Sequence, residues 1–317
     1  MIVVPGRFAP LHLGHQTLLE TAQAIGPVHV LVLGDGPGGT AQVIQETCPD
    51  VALSHAPQIE RLSDEHVSAL IEHIRQALPQ ATRLFGSEPA IKPVADSLGL
   101  PLTILDPDRF AMDAVSDAIA ADPVAHWSLL SPASKGHLSK RLTLVGPEST
   151  GKSTIAAKLV AAHGGPLVPE YGRAYETFRA PGDYRPGELA ELARIHTAHQ
   201  RVLARYSGPI QIEDSDALLT AVWAEMLTGA PDQEVEAIID PADLYLLLHW
   251  DTPWEEDPLR YFSTPRQRQE FFARIEAKLV AHGAHYITLK GDFAAREAAA
   301  EAAYAQLLAT FRQDPKP

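Results

Sequence analysis

The stretch from Leu142 to Thr154, LTLVGPESTGKST, dictates more about the fold than any other part of the chain. Gly146 and Gly151 frame a loop that ends in Gly151-Lys152-Ser153, the Walker A spacing. The apolar run Leu142 to Val145 ahead of it reads as a strand, and Thr154 to Ala162 behind it has a helical period. Phosphate is held by backbone N–H groups that converge at a helix N-terminus, so the motif needs this strand–loop–helix setting. The glycines permit the tight backbone path, Lys152 reaches the β- and γ-phosphates, and Ser153 ligates Mg²⁺. Gly146, Glu148, Ser149, Thr150, Gly151, Lys152, Ser153 and Thr154 are therefore the expected ATP contacts.

A loop of this kind opens its domain, yet here it stands near the middle of 317 residues. The preceding part must hold a domain of its own, which predicts residues 1–130 as one domain, 131–140 as a linker and 141–317 as a second. Short β-branched runs alternate with helical ones throughout, the pattern of a parallel sheet covered on both faces. Strands are expected at Ile2–Val4, Val28–Leu33, Arg83–Gly86 and Leu102–Leu105, then at Leu142–Val145, Leu167–Pro169, Ile210–Glu213, Leu244–His249 and Tyr286–Leu289. Helices are expected at His15–Ile25, Ile59–Leu78, Ala90–Leu98, Ala114–Ala121, Gly187–Tyr206 and Phe293–Phe311.

The net charge is 26 − 40 = −14 with no basic run, which argues against DNA or RNA as a partner. The single Cys48 fits a reducing compartment. With no apolar run of membrane length and no signal sequence before Ile2, the expected location is cytoplasmic, with no membrane partner.

The first expected strand runs into Pro5-Gly6-Arg7-Phe8-Ala9-Pro10-Leu11-His12-Leu13-Gly14-His15. His12 and His15 stand where a strand turns into a helix, and Gly14 between them lets a ligand approach the backbone. From there two imidazoles would donate hydrogen bonds to phosphate oxygens as charge develops on a leaving pyrophosphate. A metal pair and plain helix capping are the other uses of histidines at this spacing.

In the second half, Glu170-Tyr171-Gly172-Arg173 follows an expected strand, at the end of a parallel sheet where ligands bind. An exposed ion pair is the alternative for Glu170 and Arg173. Glu213-Asp214-Ser215-Asp216 closes the next strand, where an acidic group holds Mg²⁺ through water or accepts the proton of an attacking hydroxyl. A solvated acidic loop is the alternative there.

The segment Gly6-Arg7-Phe8-Ala9-Pro10-Leu11-His12-Leu13-Gly14-His15 resembles the signature of the nucleotidyltransferase superfamily, and with the phosphate loop at residue 146 the whole chain resembles the NadR-type bifunctional family. That family joins a nicotinamide-mononucleotide adenylyltransferase domain to a ribosylnicotinamide kinase domain. The resemblance continues at Gly86-Ser87-Glu88-Pro89-Ala90 and Leu105-Asp106-Pro107-Asp108-Arg109 and covers nearly the whole chain. It implies an α/β chain with an N-terminal nucleotidyltransferase-like, Rossmann-type domain and a C-terminal P-loop kinase domain, both with parallel sheets.

The resemblance further implies Mg²⁺- and ATP-dependent phosphorylation of ribosylnicotinamide to nicotinamide mononucleotide, followed by adenylyl transfer to NAD. Its small-molecule partners would be ribosylnicotinamide, nicotinamide mononucleotide, ATP and NAD, and its members often form homo-oligomers. The adenylyl step would use Arg7, Phe8, His12, Gly14 and His15 at ATP, with His12 and His15 catalytic. The kinase step would use Lys152, with Asp214 and Ser153 on the metal and Asp216 on the ribose or the attacking hydroxyl, the two aspartates being interchangeable at this stage. Glu170, Tyr171 and Arg173 would line the nucleoside site. Asp251-Thr252-Pro253-Trp254-Glu255-Glu256-Asp257-Pro258-Leu259-Arg260 resembles the family's Thr-Pro-Trp loop, which assigns Trp254 and Asp257 to the pyridinium or ribose. Arg260, Arg266 and Arg268 fall where small kinases keep a lid, with Arg260 in register for catalysis.

The chain departs from the family after the Asp-Pro segment. Ala120 stands where the family has a phosphate-binding arginine, and Asp113 where it has a hydroxyl. Loss of a cation and gain of a carboxylate predict weaker triphosphate binding by the first domain. Adenylyl transfer, binding without turnover and an altered substrate are all readings of that domain. For the whole chain, an NAD- or mononucleotide-sensing regulator and a P-loop switch NTPase stand beside the kinase.

Overall fold

The computed structural model describes residues 1–34, 39–60, 62–179, 184–257 and 260–313. The chain divides into two compact units, Met1–His137 and Leu138–Asp314. Among the described residues, ten strands form two five-stranded sheets, one in each unit, and every pairing is parallel.

The first unit runs β1 (Ile2–Gly6), α1 (Leu13–Gln23), β2 (Val28–Leu33), α2 (Thr40–Thr47), β3 (Ala52–Ala56), α3 (Val67–Ala77), β4 (Arg83–Gly86), α4 (Lys92–Leu98), β5 (Leu102–Ile104), α5 (Ser116–Ala121) and α6 (Pro132–Leu138). The strand order is β3-β2-β1-β4-β5. Central strands with both faces covered need nearly continuous apolar sequence, which β1 has and β2 has apart from His29, whose ring is bonded to the Ser54 hydroxyl. Alternate residues feed two cores: Ile2, Val4, Val30 and Val32 pack with α1 and α2, while Val3, Leu31 and Leu33 pack with α3 and α4.

Two elements of this unit lack a sequence signal. β3 is an edge strand reading Ala-Leu-Ser-His-Ala, with only Ala56 buried, so no apolar run marks it. The helix expected from Ile59 begins at Val67, while Ile59 itself is buried ahead of it. The glycine-rich stretch that follows β2, Gly34 to Gly39, falls largely at 35–38, outside the described residues. Residues 131–140, expected as a linker, hold α6 instead. The Ser131 N–H donates to the Leu11 carbonyl at 3.1 Å and the Ser134 hydroxyl to the same carbonyl at 2.7 Å. The turn-like composition of this stretch thus serves to fasten it to the segment carrying His12.

The second unit runs β6 (Lys140–Val145), α7 (Lys152–His163), β7 (Leu167–Val168), α8 (Tyr171–Phe178), α9 (Glu188–Ala204), β8 (Ile210–Asp214), α10 (Ala217–Thr228), α11 (Gln233–Glu236), β9 (Leu244–Leu248), α12 (Pro265–Ala281), β10 (Tyr286–Leu289) and α13 (Phe293–Gln313). The order β10-β9-β6-β8-β7 puts β6, and with it the phosphate loop, at the centre of the sheet. α10 (ALLTAVWAEMLT) is apolar on nearly all sides, so it shows no helical period to read. α12 starts with a capping box, Thr264 with Gln267, and its first turns carry Arg266 and Arg268. Among the described residues, no helix is long and apolar enough to cross a membrane.

Candidate functional site

At the carboxyl ends of the second sheet, residues 146–151 wrap into a loop that delivers the chain to the N-terminus of α7. Gly146 has φ 154°, and a Cβ there would stand 2.7 Å from the Leu248 carbonyl oxygen. Gly151 has φ 91° and caps α7. Only glycine meets both demands at little cost, which is the physical content of the spacing. Lys152 is buried, and its ammonium group donates to the carbonyls of Gly146 at 3.0 Å and Pro147 at 3.2 Å, so the cation lies across the mouth of the loop. The loop opens on a cavity of about 600 Å³, also lined by Ser153, Thr154, Glu170, Arg173 and Arg260.

The two aspartates after β8 part company. Asp214 is buried, and its Oδ1 has no hydrogen-bond partner among the described residues. It lies within electrostatic reach of Glu170, whose carboxyl burial raises above the usual range; Lys152 opposes that rise and Asp214 adds to it. Asp216 corrects the expectation of a ribose or catalytic carboxylate. Its Oδ1 accepts the N–H groups of Leu218 at 3.0 Å and Leu219 at 3.2 Å as the cap of α10, and its Oδ2 accepts the Tyr245 hydroxyl at 2.6 Å. Both oxygens are spent inside the fold. Asp216 is a helix cap.

A buried carboxylate oxygen without a partner, within electrostatic reach of the Glu170 that lines the phosphate-loop cavity, fits Mg²⁺. Such an ion takes one or two protein ligands and completes its shell with water and phosphate. Among the described residues, no cluster of three or more acidic, histidine or cysteine side chains forms a self-sufficient metal cage.

Residues 252–257 and 260–262 fold over the phosphate loop and are bonded to it. The Ser149 hydroxyl accepts from the Glu255 N–H at 2.8 Å and from Arg260 Nη1 at 3.2 Å, and the Thr252 hydroxyl donates to the Ser149 carbonyl at 2.9 Å. Glu148, expected as an ATP contact, instead accepts the N–H groups of Tyr261 at 3.1 Å and Phe262 at 2.8 Å. Burial raises the Glu148 carboxyl, against the pull of these amides. Arg173 and Asp257, both expected at the substrate, form an ion pair with each other and so latch α8 to this segment. Pro258 and Leu259 lie outside the described residues.

Of the three lid arginines, only Arg260 lines the cavity. Arg266 is exposed on α12, and buried Arg268 donates to the Thr252 carbonyl at 2.9 Å. Trp254 is sandwiched by cations, with Arg260 5.5 Å and Arg268 5.7 Å from its ring centre. A pyridinium would meet like charge there, so the expected stack on Trp254 is not what this arrangement offers. Tyr171, also expected at the substrate, turns toward the apolar cluster around Leu189 and Ala193.

The far wall of the cavity is aromatic. Trp223 on α10 stacks on Phe262 at 5.4 Å and meets Tyr261 edge-on at 6.1 Å, and Tyr184 joins the lining. Glu176 sits among them, accepting hydrogen bonds from the hydroxyls of Tyr184 and Tyr261 and from Arg179 at 3.0 Å. Burial alone would raise its carboxyl, but these donors outweigh burial and hold it below the usual range.

In the first unit, His12 caps α1. Its Nδ1 accepts the His15 N–H at 3.3 Å, which leaves the proton on Nε2 to be donated to the Ser116 hydroxyl at 2.9 Å. The two imidazoles stack with centres 3.6 Å apart, and His15 Nε2 lies 3.5 Å from the same hydroxyl. Gly14 leaves room for the His12 ring, since a Cβ there would stand 3.1 Å from His12 Nδ1. Burial, aided by Arg109, lowers His12 to about 4 and lowers His15 as well. Both rings are therefore neutral near pH 7. Phe8 corrects another expectation: its ring is buried in the core behind His15, 5.0 Å away, and backs the histidine instead of meeting a ligand. Arg7 is half exposed and 3.7 Å from Asp117.

A family model described as an AAA domain matches residues 141–296. The Trifunctional NAD biosynthesis/regulator protein NadR of Escherichia coli (strain K12) is 25% identical over 301 residues, covering 85% of this chain and 73% of that protein. Its namesake from Salmonella typhimurium (strain LT2) is 24% identical over 325 residues, covering 91% and 78%. Among solved structures, a NadR protein in complex with NR aligns over 96% of this chain and 95% of that one, with TM-score 0.70 and 21% identity. The chain is similar to NadR proteins over most of its length. A second NadR structure, in complex with NAD and AMP-PNP, aligns over the same shares with TM-score 0.68 and 19% identity.

Several groups at the two candidate sites carry no sequence signal. Trp223 sits inside an apolar helix, Tyr184 and Glu176 flank a segment with no motif, and Ser116 lies between Asp113 and Ala120, the two positions that depart from the family pattern. Arg296 is the most hidden of all. It is fully buried on α13 and donates to the carbonyls of Thr150 at 3.1 Å, His249 at 3.0 Å and Gly291 at 2.8 Å, with Asp251 as its counter-ion.

Proposed function

We propose that the second unit transfers the γ-phosphoryl group of ATP to the 5′-hydroxyl of ribosylnicotinamide, giving nicotinamide mononucleotide. The observation that carries this reading is one cavity that joins a phosphate loop, the Glu170 carboxyl and an aromatic wall holding an ionised carboxylate. A cationic pyridinium ring suits that wall, with Trp223 and Tyr184 as flat faces and Glu176 as the negative group. Similarity to a NadR protein solved with NR supports the same reading.

The chain's own groups divide the work as follows. The amides of the phosphate loop and Lys152 hold the β- and γ-phosphates. Ser153 and Asp214 would hold Mg²⁺, which when bound neutralises charge on the phosphate oxygens. Glu170, with its raised proton affinity, stands where it can take the proton of the attacking hydroxyl. The new bond joins the 5′-oxygen to the γ-phosphorus, the bond from that phosphorus to the β-phosphate bridging oxygen breaks, and ADP leaves. Arg260 supplies positive charge from the lid as charge shifts to the leaving oxygen.

The first unit supports a second reading, adenylyl transfer to give NAD, through the linked His12, Ser116 and His15. Neutral imidazoles offer hydrogen bonds but no net charge, and Ala120 removes a cation, so this step is the slower one. Purified protein incubated with ATP, Mg²⁺ and ribosylnicotinamide would accumulate mononucleotide ahead of NAD. Absence of both products would refute the kinase assignment. NAD bound without turnover would favour a regulatory first unit, and ATP hydrolysis indifferent to ribosylnicotinamide a switch NTPase.

A further inference from the structure

One side chain in the cavity belongs neither to the phosphate loop nor to the aromatic wall. Phe293, the first residue of α13, is 46% exposed and lines the cavity beside Gly151 and Lys152. Its ring lies so close to the loop that a Cβ on Gly151 would stand 2.7 Å from Cε1 and 3.0 Å from Cζ. An apolar ring half open to water costs solvation free energy unless something covers it. It is also held firmly. Asp292 Oδ1 accepts the Ala295 N–H at 2.8 Å, and Arg296, one turn along, bonds the Gly291 and Thr150 carbonyls.

The sheet order says what could cover it. Glu170 and Glu176 come from the β7 side of the sheet, and Phe293 comes from the β10 side, with β6 and the phosphate loop between them. In-line transfer needs acceptor and leaving group on opposite sides of the γ-phosphorus. With the acceptor on the β7 side, the rest of the donor extends toward β10, past Gly151. We propose that the Phe293 ring is the platform on which the base of the donor nucleotide stacks, so that this side chain makes the chain prefer a nucleoside triphosphate over bare polyphosphate. The direction of the donor rests on the kinase reading, but donor binding can be measured with no acceptor present.

The test compares binding of ADP and of inorganic tripolyphosphate, each with Mg²⁺, by titration calorimetry. Phe293→Ala removes the ring, Phe293→Leu keeps bulk against Gly151 without a flat face, and Phe293→Tyr keeps the face. ADP affinity should fall roughly five- to hundredfold in the Ala and Leu variants, the range for base–aromatic stacking, and hold in the Tyr variant. Tripolyphosphate affinity should be the same in all four proteins. Unchanged ADP binding in the Ala and Leu variants would overturn the proposal. Equal losses for both ligands would also overturn it, by showing that the ring only props the phosphate loop. If the ADP pattern holds but ribosylnicotinamide is not phosphorylated, the acceptor assignment fails and the platform stands.

Discussion

The two aspartates after β8 offer the sharpest division between site and scaffold, because they are two residues apart and look alike in sequence. Asp216→Ala removes the cap of α10, worth about 1 kcal/mol. It also leaves the buried Tyr245 hydroxyl without its acceptor, a further loss of roughly 1–3 kcal/mol. The sum, about 2–4 kcal/mol, corresponds to a fall in melting temperature of roughly 5–15 °C for a domain of this size. Turnover per folded molecule should change little. Asp214→Asn should do the reverse. It removes a buried carboxylate that has an unpartnered oxygen, so the melting temperature should hold or rise, while turnover falls about 10²- to 10³-fold, the usual loss for a preorganised charged group. Thermal unfolding by circular dichroism and steady-state phosphorylation below the melting range measure both quantities. An Asp216→Ala protein that melts like wild type but has lost turnover by a hundredfold would refute the assignment.

Three further outcomes follow from the geometry. Arg260→Ala should lower turnover about 10²-fold with no change in melting, whereas Arg266→Ala should stay within about twofold of wild type in both; equal effects would show that the lid arginines are not distinguished. Arg296→Met should cost roughly 3–5 kcal/mol in urea unfolding, because it leaves Asp251 and three carbonyls without their donor; a loss below about 1 kcal/mol would refute that role. His12 falls from 6.5 to about 4 on folding, so between those values the unfolded chain binds more protons than the folded one. The stability this contributes is complete above the unfolded value and drains as pH falls toward the folded one. Melting temperature should therefore drop more steeply between pH 6.5 and 4 in wild type than in His12→Gln, and parallel profiles would contradict a buried neutral His12.

Sequence revealed the features that depend on local pattern. Both parallel sheets were legible because central strands such as Val28–Leu33 are apolar at nearly every position, His29 excepted, and the phosphate loop because only glycine tolerates the backbone at 146 and 151. The short edge strand Ala52–Ala56, which buries little, left no such trace. Neither did α10, which is too apolar to show a face. In the site, spacing singled out Lys152 and Asp214, and the family resemblance Arg260, but neither could orient them. Asp216 resembles Asp214 until the Tyr245 hydroxyl is seen beneath it, and Trp254 resembles a base-stacking residue until two guanidinium groups are found around it. Trp223, Glu176 and Phe293 reach the cavity only through the tertiary fold, from positions where tryptophan, glutamate and phenylalanine would otherwise be ordinary.

The bond from Arg296 to the Thr150 carbonyl spans 146 residues of chain. At about 5–20 residues per second of synthesis, the phosphate loop would leave the ribosome roughly 7–30 s before the helix that pins it. During that interval the growing chain carries the whole motif without the groups that hold it in shape. A chain cut short before residue 296 would keep an intact LTLVGPESTGKST and lose the Arg296 anchor behind it. The phosphate loop thus gains its anchor only 146 residues after the motif that announces it has been made.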